Sequence, residues 1–135
     1  MTQHIALLRA VNLPSHNKIT MADLRKLAEG LKLDDPRTLL ASGNLVFGTT
    51  GRTPAQLEKL LEGAAVKRFG LGTEFFVRTA DEWDDIVAGN PFPKEAKADP
   101  GHLLMLCLKD EPGRDAVTAL QKAIVGREIV RAKGR

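Results

Sequence analysis

The chain has 135 residues, 43% hydrophobic and 27% charged, the composition of an ordinary soluble protein and the length of one domain or two small halves sharing a core. A formal charge of +3 and a pI near 9.2 permit phosphate or nucleic-acid contacts without requiring them. One cysteine (Cys107), no leader pattern in "MTQHIALLRA" and no apolar run longer than Leu103 to Leu108 argue against a disulfide framework, a signal peptide and a bilayer span, so the expected location is the cytoplasm.

In "HIALLRAV", Ile5, Leu7 and Val11 occupy one parity and Ala6, Leu8 and Ala10 the other. That pattern predicts a central strand covered on both faces. Thr20, with Asp23 three residues on, is a helix-capping pair. Met21, Leu24, Leu27, Ala28 and Leu31 then recur at the spacing of a buried helical stripe, and Gly30 is the expected stop. "RTLLASGNLVFG" sets two β-prone runs around Ser42-Gly43-Asn44, a hairpin turn. "TPAQ", from Thr53 to Gln56, combines a threonine cap, a first-turn proline and a closing glutamine. Leu57, Leu60, Leu61, Ala64 and Ala65 make that helix's apolar face. Gly70 and Gly72 end it, and "TEFFVR" reads as a strand.

The order through Arg78 is β-α-β-β-α-β, the split arrangement of a ferredoxin-like sheet. Residues 1–78 are therefore read as the first half of an α+β protein. Beyond them, Thr79 and Glu82 cap a helix carrying Trp83, Ile86 and Val87. A proline-rich connector, "NPFPKEAKADPG", leads to "HLLMLCL", which reads as a buried strand. Asp115 to Ile124 is a helix, and "REIVRA" a last strand. Residues 79–135 are thus expected to form a partial second half, α-β-α-β, packed on the first. Either this tail or a partner, another copy included, must cover the second face of the first strand.

Two stretches carry a family resemblance. "ALLRAVNLPSHNKITMADLRKL" is similar to a pattern of a strand, "LRGIN", a glycine-rich turn, "NKI" and "M-x-x-L". "RTLLASGNLVF" is similar to "RTY-x-x-SGN-x-x-F", and "NPF" at Asn90 to Phe92 is a third match. With these the chain resembles the domain-of-unknown-function 1697 family, uncharacterised bacterial α+β proteins. The resemblance implies two halves of ferredoxin-like character and no assigned activity. It places Arg9, Asn12, Asn17, Lys18, Met21, Leu24, Ser42, Gly43 and Asn44 on signature positions. Ala10 stands where the family has glycine, Pro14-Ser15 where it has a glycine pair, and Leu39 where it has tyrosine. Relatives continue into a segment resembling "TTRNW" that this sequence does not contain, so the second half is expected to be short of an element.

Arg9, Asn12, His16, Asn17 and Lys18 gather before a helix start, whose free amides and dipole attract anions. A polar or anionic small molecule is the expected ligand. Arg9 and Lys18 would pair charge, and Asn12, Asn17, Ser42 and Asn44 would supply hydrogen bonds. The plainer alternative is that the asparagines fix turns, Lys18 is solvated, Arg9 meets a carboxylate and hairpin geometry alone explains Gly43-Asn44. Two further readings are a non-catalytic assembly module, possible as a homo-oligomer, and acylphosphatase-like hydrolysis with Arg9 and Asn12 or Asn44 on the phosphate. A first strand without aromatics, in a chain without tyrosine, argues against base stacking and so against nucleic acid. His4, His16, His102 and Cys107 lack metal-ligand spacing, and no cofactor fingerprint occurs. Cys107 is expected to be an inert buried thiol, and His4 and His102 strand-edge residues.

Overall fold

The computed structural model describes residues 1–14 and 17–135. Strand β1 (Thr2–Leu8), helix α1 (Met21–Gly30), strands β2 (Asp34–Leu39) and β3 (Asn44–Thr49), helix α2 (Pro54–Phe69) and strand β4 (Phe75–Thr79) follow in order. The strands form one antiparallel sheet of order β2-β3-β1-β4. β1 is interior, as its two-sided apolarity predicts, with Ala6 and Leu8 buried and Ile5 and Leu7 half-buried. Ala6, Leu8, Leu45, Phe47, Phe75 and Val77 on one sheet face join Leu24, Leu27 and Ala28 of α1 and Leu57, Leu61 and Ala65 of α2 in one core cluster. Met21, Leu31, Leu60 and Ala64, predicted for the same stripes, pack at its margin. Each fully buried Leu or Phe contributes about 1.5–3 kcal/mol, so this face is what holds the sheet and helices together.

Local capping chemistry sets the helix starts. Thr53 Oγ1 accepts from Gln56 N at 3.2 Å and Gln56 Oε1 accepts from Thr53 N at 2.9 Å. Thr20 Oγ1 accepts from Asp23 N at 3.0 Å. Gly70 takes the left-handed conformation (φ 63°) that ends α2.

The two sheet edges are closed in different ways. Along β4, Glu62 accepts from Phe75 N (2.8 Å), Glu58 from Val77 N (2.9 Å) and Glu82 from Thr79 N (2.9 Å). Arg78, 3% exposed, lies 4.0 Å from the buried Glu58 carboxylate. On β2 the register shifts between Asp34 and Arg37, and Pro36 lacks a donor. A bulge, a proline and exposed charges are common means of blunting an edge.

His4 is no strand-edge residue. It is buried on the core side, bonded through Nδ1 to the Thr2 carbonyl at 3.0 Å and stacked on Phe47 with centroids 5.6 Å apart. Burial pushes its pKa below the ordinary 6.5, the Thr2 bond and the Glu82 charge opposing that shift. The unfolded chain therefore takes up a proton near its ordinary pKa while the folded chain resists. Stability should fall as the pH drops through that value toward the lower folded one, then level off. Urea midpoints from about pH 7 to about pH 5 should show the slope, and His4→Leu should flatten it.

The chain divides into two compact units, Met1–Ala88 and Gly89–Arg135. The division falls after Ala88 rather than after Arg78. Helix α3 (Ala80–Ala88) starts on Thr79, whose Oγ1 accepts from Glu82 N at 3.1 Å, and it lies beside β1 and β4. The second unit holds helix α4 (Pro93–Ala98), a 3-10 turn (Pro100–His102) and helix α5 (Arg114–Ala123). The expected α-β-α-β pattern is not what forms, because neither "HLLMLCL" nor "REIVRA" becomes a strand. An extended segment becomes a strand only when a neighbour takes its alternate backbone groups. Leu108 N does donate to the Arg135 carbonyl at 2.7 Å, but no ladder continues among the described residues. Cys107 is half-buried rather than buried, its Sγ 3.5 Å from Met105 Sδ. His102 sits in the 3-10 turn, not at a strand edge, with Nδ1 2.8 Å from the Asp99 carboxylate. No described helix is long and apolar enough to cross a membrane.

Candidate functional site

Past Leu8 the backbone turns sharply, and Ala10, Asn12 and Asn17 adopt φ values of 53°, 55° and 57°. Asparagine tolerates this left-handed region better than most residues; alanine does not. Asn12 is bonded from three directions. Its Nδ2 donates to the Ala41 carbonyl (2.7 Å), its Oδ1 accepts from Ile19 N (2.8 Å), and its backbone N donates to the Asn17 carbonyl (2.8 Å). Asn17 Nδ2 donates to the Ala10 carbonyl at 3.1 Å. The two asparagines thus clamp the loop shut.

The Asn12–Ala41 bond also joins the loop to the β2–β3 hairpin, so the two candidate regions meet. Leu8 N donates to the Gly43 carbonyl at 3.0 Å. Gly43 has a φ of 91°, and a Cβ there would lie 2.9 Å from Val11 Cγ2 and 3.0 Å from Leu8 Cβ. Asn44 Nδ2 donates to the Leu39 carbonyl at 2.7 Å and to Ser42 Oγ at 3.2 Å. Four of the six proposed ligand contacts, Asn12, Asn17, Ser42 and Asn44, therefore already bond within the fold.

Two cations remain at the surface. Arg9, whose side chain is 68% exposed, pairs with Glu74 at 3.3 Å, an exposed contact of about 0–1 kcal/mol. Its carbonyl accepts from Thr73 Oγ1. Lys18 is exposed and forms no hydrogen bond or ion pair with another of the described residues. His16 lies outside the described residues. The pair that would imitate an acylphosphatase is occupied on both sides, Arg9 by Glu74 and Asn44 by Leu39 and Ser42. Among the described residues no group of three His, Cys, Asp or Glu could hold a metal ion. The carboxylate expected for Arg9 is Glu74, 65 residues away; no local pattern points to it.

A family model described as "Protein of unknown function (DUF1697)" matches residues 1–135. The chain belongs to the DUF1697 family. No curated protein matches it. In structure this DUF1697 chain is similar to the conserved bacterial protein SP0830 from Streptococcus pneumoniae, with a TM-score of 0.68 and 22% identity. The likeness covers 90% of this chain and 66% of that one, so the chain spans less than two-thirds of its neighbour's length. At that identity the likeness is one of fold. Within the DUF1697 chain, Asn12, Asn17, Gly43 and Asn44 all serve the junction between the end of β1 and the hairpin.

Ala10 offers a direct test of that junction. Its φ of 53° suits glycine, the residue of the DUF1697 pattern at this position. Ala10→Gly should stabilise the fold by roughly 0.5–1 kcal/mol, the relief of left-handed strain exceeding the entropy glycine loses. A urea melt would read this as a higher midpoint at unchanged slope.

Proposed function

We propose that this DUF1697 chain is a non-catalytic assembly module, built on a ferredoxin-like first unit and self-associating through the apolar surface of Gly89–Arg135. The ferredoxin-like reading is supported by the element order β-α-β-β-α-β, the sheet order β2-β3-β1-β4 and the single core shared by α1 and α2. The observation that carries the assembly reading is exposure. No residue after Arg78 is buried, while Leu104 (84%), Leu106 (82%), Val125 (99%) and Ile129 (64%) face outward. Apolar side chains exposed to this extent mark a surface that meets another. The reading includes a cytoplasmic location, which fits a single cysteine, Cys107, that forms no disulfide.

Sedimentation velocity over a range of concentrations tests the proposal. The parent chain should gain mass with concentration, and Leu104→Glu/Leu106→Glu should stay monomeric. A parent that is strictly monomeric throughout would end this reading.

A second reading keeps the polar or anionic small molecule beside the first loop. It is favoured by the exposure of Arg9 and Lys18 on either side of the left-handed turn. Isothermal titration with nucleotides and phosphorylated metabolites would test it, and equal binding by Arg9→Ala would defeat it.

A further inference from the structure

The sequence of β4, "FFVRT", is aromatic and β-branched, without proline or glycine. That is the composition that pairs most readily with another strand. It nevertheless lies at the edge of the sheet. Its Phe75, Val77 and Thr79 N–H groups alternate with the residues bonded to β1, so they point outward, where a fifth strand would bind. Three carboxylates from two helices occupy those donors at 2.8–2.9 Å. Glu58 and Glu62 stand one turn apart on α2, and Glu82 sits in the first turn of α3. Capping alone accounts for Glu82, which closes its own helix start. It does not account for two α2 glutamates that reach alternate donors of the same strand.

We infer that Glu58, Glu62 and Glu82 guard a strand-docking edge, and that the partner this edge fits when unguarded is β4 of a second copy. An antiparallel pair centred on Val77 would oppose Phe75 to Thr79 of the second copy and Phe76 to that copy's Arg78. Each cation would then meet an aromatic ring, and every outward donor would find a carbonyl. β2 does not offer an equivalent edge, because Pro36 and the register shift interrupt its donors. This inference is independent of the assembly surface proposed above.

Glu58→Ala/Glu62→Ala/Glu82→Ala tests it, because all three carboxylates must leave before a second strand can reach the edge. In dilute solution the Phe75 and Thr79 amides should exchange about tenfold faster than in the parent. At high concentration their protection should return as the mass rises above the parent's at equal concentration. Unchanged exchange in the variant would show that the glutamates guard nothing. Fast exchange at every concentration, with the parent's mass, would show that they only cap. If the triple variant does not fold, Glu58→Leu/Glu62→Ala/Arg78→Leu/Glu82→Ala, which leaves no unpaired buried charge, gives the same readouts. Failure here would leave the Leu104→Glu/Leu106→Glu result untouched, since the amide readout is confined to β4.

Discussion

Glu58→Ala is expected to lower the unfolding free energy by about 3 kcal/mol or more, the cost of leaving a buried cation without its carboxylate. Glu58 and Arg78 are 7% and 3% exposed and lie 4.0 Å apart, so solvent screens them little. Glu58 also accepts from Val77 N at 2.9 Å, and alanine removes that acceptor as well. Glu58→Gln separates the two contributions, because it keeps an oxygen for Val77 and deletes only the charge. It should therefore cost less than alanine. Glu58→Leu/Arg78→Leu should recover most of the loss, because replacing both charges by apolar groups spares their desolvation. Urea denaturation of the three variants checks the order. A Glu58→Ala midpoint equal to the parent's would show that the pair carries no stability.

Gly43→Ala should cost about 2–4 kcal/mol, combining backbone strain with overpacking. At φ 91° an alanine is strained whatever the space around it, and its Cβ would meet Val11 Cγ2 at 2.9 Å and Leu8 Cβ at 3.0 Å. Leu8 Cβ is fixed to the strand backbone and cannot rotate away. The hairpin must shift instead, and with it the Leu8 N to Gly43 O and Asn12 to Ala41 bonds. Faster amide exchange at Leu8 should accompany the lower melting temperature. Normal Leu8 protection together with a normal melting temperature would contradict the proposed junction. This test also separates the two parts of the signature: Gly43 is required by a close approach, whereas Ser42 only accepts a bond from Asn44.

Much of the first unit was legible in the sequence. Thr53 with Gln56 and Thr79 with Glu82 satisfy each other within one turn, and the two-sided apolarity of β1 marks it as an interior strand. The reading failed where a segment's state depends on a neighbour. "HLLMLCL" has the apolarity of a buried strand, but apolarity cannot supply a ladder partner, and Leu104 and Leu106 remain exposed. The edge position expected for His4 does not hold, because one strand's pattern does not say which side the helices will cover.

By itself, the sequence determined the order of helices and strands through Thr79, the capped starts of α1, α2 and α3, and the apolar stripes of α1 and α2, because each is settled within a few residues of itself. Element ends were less local: β2 begins at Asp34 rather than Arg37, and Gly30 lies inside α1, which Leu31 caps. Only the tertiary structure decided that Asn12 would be used up by Ala41 and Ile19, that Arg9 would face Glu74, and that Glu58 would be buried against Arg78. A side-chain amide bonds whichever carbonyl folding brings within reach, and a charge is stable or costly according to what surrounds it.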